Sequence, residues 1–145
     1  MPDTQLDIVI PVFNEIEIIE QLHTRVMAAC EQTELSFRII YVDDGSSDGT
    51  KAWLTGNAIN SCLDGESELL DGADKLNSIS IHKTKSPNSF VTLLELSRNF
   101  GQPSAILAGL KQSHGECVVI MDGDLQDPPE LIPEMVERWK SGDQV

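Results

Sequence analysis

The sequence predicts one α/β domain built on a mostly parallel sheet with helices on both faces. Apolar runs alternate with amphipathic or capped segments four times along the chain. The runs themselves are too uniformly apolar to leave one face in water, which is the signature of parallel strands covered on both sides. At 145 residues the chain fits a single compact domain, 1–145, with little room for a second.

Leu6 to Val12, "LDIVIPV", reads as a short buried strand ended by "FNE", where Asn14 and Glu15 supply cap chemistry for a following helix. In that helix Ile19, Leu22, Val26 and Ala29 with Cys30 recur at helical spacing, while Glu17, Glu20, Gln21, Thr24 and Arg25 take the opposite face. Phe37 to Val42, "FRIIYV", is the second strand, stopped by "DDGSSDGT", whose turn formers also cap a helix from about Thr50. Val91 to Leu96 makes the third strand, followed by "SRNFGQPS" and a helix over Ser104 to Gln112. Cys117 to Met121 is the fourth. A last helix spans Pro129 to Lys140, with Asp127 and Glu130 placed as a capping box around two prolines. The acidic, Ser/Gly/Asn-rich region 57–90 is roughly twice or more the usual length of a loop. It reads as an inserted, mobile excursion with a small strand at Ile79 to His82.

Twenty-four acids against ten Lys and Arg give a formal charge of −14, which argues against nucleic acid as a partner. Cys30, Cys62 and Cys117 are odd in number and lack a C-x-x-C pair, so they read as reduced thiols of a cytoplasmic chain. No stretch approaches the roughly 18 apolar residues of a membrane span. His23, His82 and His114 show no metal or base–nucleophile spacing and read as ordinary surface, while Trp53 and Trp139 fall on helices as packing residues.

Open parallel sheets bind ligands beyond the carboxyl ends of their strands. Every polar cluster falls there: "NE" after the first strand, "DDGSSD" after the second, "SRN" after the third and "DGDLQD" after the fourth. The amino-terminal ends carry nothing comparable. On an extended chain the D-x-D-x-Q residues Asp122, Asp124 and Gln126 project to one side, converging hard oxygen donors suited to Mg²⁺ or Mn²⁺. Such ions take remaining ligands from a substrate's phosphates, which links an acidic protein to an anionic substrate. A helix-loop-helix calcium loop fails from Asp122, where Asp127 stands in place of Gly and Pro133 in place of Glu. No G-x-G-x-x-G follows a strand, and G-x-x-x-x-G-K-[ST] is absent. Against a ligand, loops are polar in any case, and the "DDGSSD" acids need none as turn residues. Arg98 either meets a diphosphate oxygen or sits in solvent.

Together "PVFNE", "VDDGSSDGT", "SRNFGQ" and "DGDLQDPPE" resemble, in order and strand placement, the family-2 glycosyltransferases, over nearly the whole chain except 57–90. "DLQDPPE" looks most like the branch acting on polyprenyl phosphates, such as dolichyl- or undecaprenyl-phosphate sugar transferases. The resemblance implies a GT-A-type, Rossmann-like fold and transfer from a UDP- or GDP-sugar to a lipid phosphate with inversion, in cell-envelope glycan synthesis. By the same resemblance Pro11, Asn14, Glu15, Asp43 and Asp44 hold the nucleoside. Asp122, Asp124 and Gln126 hold the metal, and Asp127 is either an acceptor-side catalytic residue or a helix cap. The family continues beyond "ERWKSGDQV" with strands that complete the acceptor side, and the branch often adds membrane helices that place it on the cytoplasmic face. The chain therefore reads as an amino-terminal fragment. Three other readings stand beside this one: a nucleotide-binding remnant without turnover, a phospho-acceptor receiver domain, and a sugar nucleotidyltransferase.

Overall fold

A computed structural model describes residues 4–59, 64–68, 76–83 and 89–142. The chain runs through β1 (Leu6–Val12), α1 (Ile19–Gln32), β2 (Phe37–Asp43) and α2 (Thr50–Trp53), which a π-helical stretch, Leu54–Ile59, continues. β3 (Asp64–Glu68), β4 (Leu76–Lys83), β5 (Ser89–Leu96), α3 (Gln102–Gln112) and β6 (Cys117–Ile120) follow. A 3₁₀ turn, Pro129–Leu131, leads into α4 (Ile132–Lys140).

The sheet order is β3-β4-β5-β2-β1-β6. β5, β2, β1 and β6 are parallel, with Leu6 of β1 opposite both Phe37 and Cys117. β4 pairs antiparallel with β5 and β3 antiparallel with β4. The irregular excursion expected over 57–90 is thus corrected: it contributes two strands that extend the sheet, the small strand foreseen at Ile79 to His82 lying within an eight-residue one. Residues 60–63, 69–75 and 84–88, with Cys62, lie outside the described residues.

Alternation along β1 divides the core. Leu6, Ile8, Ile10 and Val12 face α1 and α4, packing on Ile19, Leu22, Val26 and Val136, while Val9 faces α3 with Ile40, Val42, Leu94 and Ala105. Each such buried side chain contributes about 1.5–3 kcal/mol over leaving it exposed. Trp53 and Trp139 pack against the first of these clusters, as expected. Double coverage fails at β6, the edge strand, where Val118 and Ile120 are 37% and 46% exposed; α3 packs on β1, β2 and β5, so the apolar run there did not mean two buried faces.

The amino-terminal ends of the strands are not bare either. Asp7 and Arg38 form a fully buried ion pair at 3.4 Å. Asp7 also accepts hydrogen bonds from Thr4 Oγ1 at 2.7 Å and from the backbone N–H groups of His114 and Gly115 at 2.7 and 2.8 Å. This network closes the face opposite the ligand end.

Three local expectations change. Asp127 and Glu130 form no capping box: Glu130 instead receives two hydrogen bonds from Arg25, at 2.8 and 2.7 Å, joining α1 to the 3₁₀ turn. Neither Asn14 nor Glu15 caps α1 with its side chain, since the Asn14 amide is drawn to the loop after β2. His23 is not ordinary surface. It shares a 2.7 Å hydrogen bond with the buried Tyr41 hydroxyl and meets Trp53 edge-on, and burial pulls its pKa down to about 4.

Candidate functional site

Sequence order reverses at β1, with β2 and β5 on one side and β6 on the other, and a crevice lies at the carboxyl ends of these strands. The end of β1 lines it with Pro11, Val12, Phe13 and Glu15, and the loop after β2 adds Asp44. Gln102 comes from the start of α3, and Asp122, Gly123 and Asp124 from the turn after β6.

Backbone-to-side-chain bonds lock the first two loops together. The Asn14 N–H donates to Ser46 Oγ at 2.9 Å, and Asn14 Oδ1 accepts from the Ser47 N–H at 2.9 Å. The N–H groups of Glu15 and Ile16 donate to Thr50 Oγ1 at 2.8 Å and Asp48 Oδ2 at 3.2 Å. Asn14 itself has φ 53, a left-handed conformation that Asn tolerates better than most residues. Much of "DDGSSDGT" therefore serves to hold "FNE" in place. Two glycines permit close approaches. A Cβ on Gly45, at φ +80, would stand 2.6 Å from the Asn99 nitrogen, and one on Gly123 would stand 2.8 Å from the Pro11 carbonyl oxygen. Gly123 thus lets the turn carrying the two acids lie against the end of β1.

That turn departs from the extended geometry expected of D-x-D-x-Q. β6 stops at Ile120 and the chain reverses, with Leu125 at φ 62, so alternate residues no longer share a side. Asp122 and Asp124 both line the crevice, whereas Gln126 and Asp127 are exposed and outside it. The Gln126 contribution is its backbone, whose N–H donates to Asp124 Oδ1 at 3.1 Å. Asp122 Oδ1 accepts from Gln102 Nε2 at 2.5 Å. Each acid is thus held by one oxygen, and its Oδ2 makes no hydrogen bond among the described residues.

The remaining expected residues divide. Pro11, Glu15 and Asp44 reach the crevice. Burial pushes the Glu15 carboxyl up from its ordinary value, and the Asp124 and Asp48 carboxylates push it further. Asp44 also accepts from the N–H groups of Phe100 and Gly101 at 2.8 and 3.1 Å. Asp43 lies behind, 1% exposed; its Oδ1 finds no hydrogen-bond partner among the described residues, and burial raises its pKa. Arg98 is exposed, with its guanidinium 4.7 Å from the centre of the Phe100 ring and away from the crevice.

Among the described residues no three His, Cys, Asp or Glu side chains converge as a metal cluster. The donor set is instead a pair of aspartates with one uncommitted oxygen each, in a crevice whose lining contains no Lys or Arg. A pair fits Mg²⁺ or Mn²⁺, which commonly bind through one or two carboxylates and keep waters or phosphate oxygens for the rest.

The model of the glycosyl transferase family 2 domain matches residues 7–71 and 57–145. The chain belongs to glycosyl transferase family 2. Membership sets aside the receiver-domain and nucleotidyltransferase readings. Among curated proteins, the chain is 40% identical over 133 residues to the undecaprenyl-phosphate 4-deoxy-4-formamido-L-arabinose transferase of Sodalis glossinidius. It is 35% identical over 141 residues to the uncharacterized glycosyltransferase YkcC of Bacillus subtilis. The matches take in 92% and 97% of this chain but 33% and 35% of those relatives, so it spans about a third of their length. Residues 1–349 of S. aureus TarS superpose with a TM-score of 0.59 at 17% identity, covering 94% of this chain and 32% of that one. The Pyrobaculum calidifontis mannosyltransferase PcManGT, solved with GDP-Man and Mn²⁺, gives 0.54 at 19% identity, covering 88% and 34%. These likenesses establish a GT-A-type fold, as the motifs implied.

Phe13, Gln102 and Gly123 line the crevice without having been singled out beforehand. All three lie inside the motifs above, and an aromatic at a strand's end was the available signal for Phe13, which the structure leaves 43% exposed. For Gln102 the sequence offered only its place in "SRNFGQ"; its reach to Asp122 follows from where the fold sets the start of α3 against the turn after β6.

Proposed function

We propose that this chain forms the donor-binding part of a metal-dependent glycosyltransferase that passes a sugar from a UDP- or GDP-sugar to a polyprenyl phosphate, inverting the anomeric carbon. The observation that carries the reading is the aspartate pair, Asp122 and Asp124, each tethered by one oxygen and free at the other, at the point where strand order reverses. The crevice measures about 110 Å³, below the roughly 300 Å³ of the smallest pockets that enclose a small molecule. It suits the charged end of a donor rather than the whole of it.

In this reading Asp122 and Asp124 hold the ion, and Glu15 and Asp44 face the nucleoside. Asp43, expected at the nucleoside, lies buried behind the crevice without lining it, its Oδ1 having no partner among the described residues. Asn14 acts at one remove by locking the two loops, and Gln126 does so through its backbone. Departure of a nucleoside diphosphate builds charge on phosphate oxygens, and a bound dication supplies the electrostatic stabilisation of that charge. A phosphate acceptor is already anionic and needs no general base. The names of the undecaprenyl-phosphate relatives support that acceptor class, and the Mn²⁺ in PcManGT supports the choice of ion.

The test is transfer of labelled sugar from UDP- and GDP-linked donors to undecaprenyl phosphate by protein containing this chain. Label should enter the lipid fraction only with Mg²⁺ or Mn²⁺ and should disappear in Asp124→Ala. Undiminished transfer by that variant would overturn the proposal.

A further inference from the structure

We propose that Gln102 is a positioning residue of the donor site, orienting Asp122 so that a single carboxylate oxygen is offered to the metal and its diphosphate. The inference rests on the donor-site reading above and adds to it a residue outside the D-x-D-x-Q stretch.

The contact is direct, Gln102 Nε2 to Asp122 Oδ1 at 2.5 Å. An ionised carboxylate only accepts, so the NH₂ end of the amide is the end that faces it. Gln102 is itself well anchored. It opens α3, immediately after Phe100 and Gly101, whose N–H groups donate to the Asp44 carboxylate. One line of hydrogen bonds therefore runs from the loop after β2, through the start of α3, to the turn after β6. Asp122 sits on an irregular turn with no strand partner to fix its side chain, which leaves Gln102 as the group that sets its direction.

The chemistry of an amide matters here. Lys or Arg would also donate to Asp122 but would bring a positive charge that competes with the ion for the same carboxylate. A neutral donor orients the ligand and leaves its full charge to the metal. Gln102 is exposed, so the bond adds little to folding, while partners that orient metal ligands typically change metal affinity 10–100-fold.

The experiment measures Mn²⁺ binding by electron paramagnetic resonance, with UDP and with GDP, for wild type, Gln102→Met and Asp124→Ala, alongside metal-free thermal unfolding. Gln102→Met should weaken Mn²⁺ binding about tenfold or more while its metal-free unfolding temperature stays at the wild-type value. Mn²⁺ affinity within about twofold of wild type in Gln102→Met, with binding lost in Asp124→Ala, would overturn this inference and leave the donor-site reading intact. A fall in affinity matched by a fall in metal-free unfolding temperature would also overturn it, because Gln102 would then be structural. No Mn²⁺ binding by wild type with either nucleotide would overturn both.

Discussion

The Asp44 carboxylate accepts the backbone N–H of Phe100 at 2.8 Å, tying the loop after β2 to the turn that starts α3. Its other oxygen accepts from Gly101 at 3.1 Å, so a residue lining the crevice also holds two of its walls together. Hydrogen bonds to a charged acceptor contribute about 1.5–3 kcal/mol each. Asp44→Ala should therefore lower unfolding free energy by about 3–6 kcal/mol in urea titration, with Asp44→Asn falling between it and wild type. Equal stability of all three would show that the two bonds carry no weight in the fold.

Asp7→Ala tests the opposite end of the sheet. Removing it leaves the buried Arg38 charge without its carboxylate, and breaking a buried pair this way costs about 3–5 kcal/mol. Denaturant unfolding should show that loss, while nucleotide binding by the folded fraction is unchanged because Asp7 is remote from the crevice. A loss below about 1 kcal/mol would contradict the assignment.

His23 sets a pH dependence whose sign follows from its lowered pKa. Unfolded, it binds a proton below about 6.5; folded, only below about 4. Its contribution is complete above pH 6.5 and is lost as pH falls toward 4, by up to about 3 kcal/mol. The stability difference between wild type and His23→Gln should shrink across that window, as measured by urea midpoints at each pH. A constant difference would mean that His23 titrates normally in the folded chain.

Where apolar runs set the structure, the sequence was easy to read. β1 has the bounds its residues predict, and the crevice lies at the strand ends where the polar clusters fall. β3 was not legible, since "DGESE" carries no apolar alternation and takes strand form from its pairing at the sheet edge. The convergence predicted for Asp122, Asp124 and Gln126 assumed an extended chain, and a left-handed Leu125 ended it. Asp7–Arg38 and His23–Tyr41 join residues 31 and 18 apart, relationships that only the sheet register and the packing of α1 reveal.

The proposed function requires Asp122 and Asp124 to bind a nucleoside diphosphate through a dication. Calorimetric titration of the chain with UDP and with GDP, in Mn²⁺ and in chelator, tests it most directly. Binding of one nucleotide should require Mn²⁺ and be lost in both Asp122→Ala and Asp124→Ala. Binding that persists in chelator, or survives both substitutions, would contradict it.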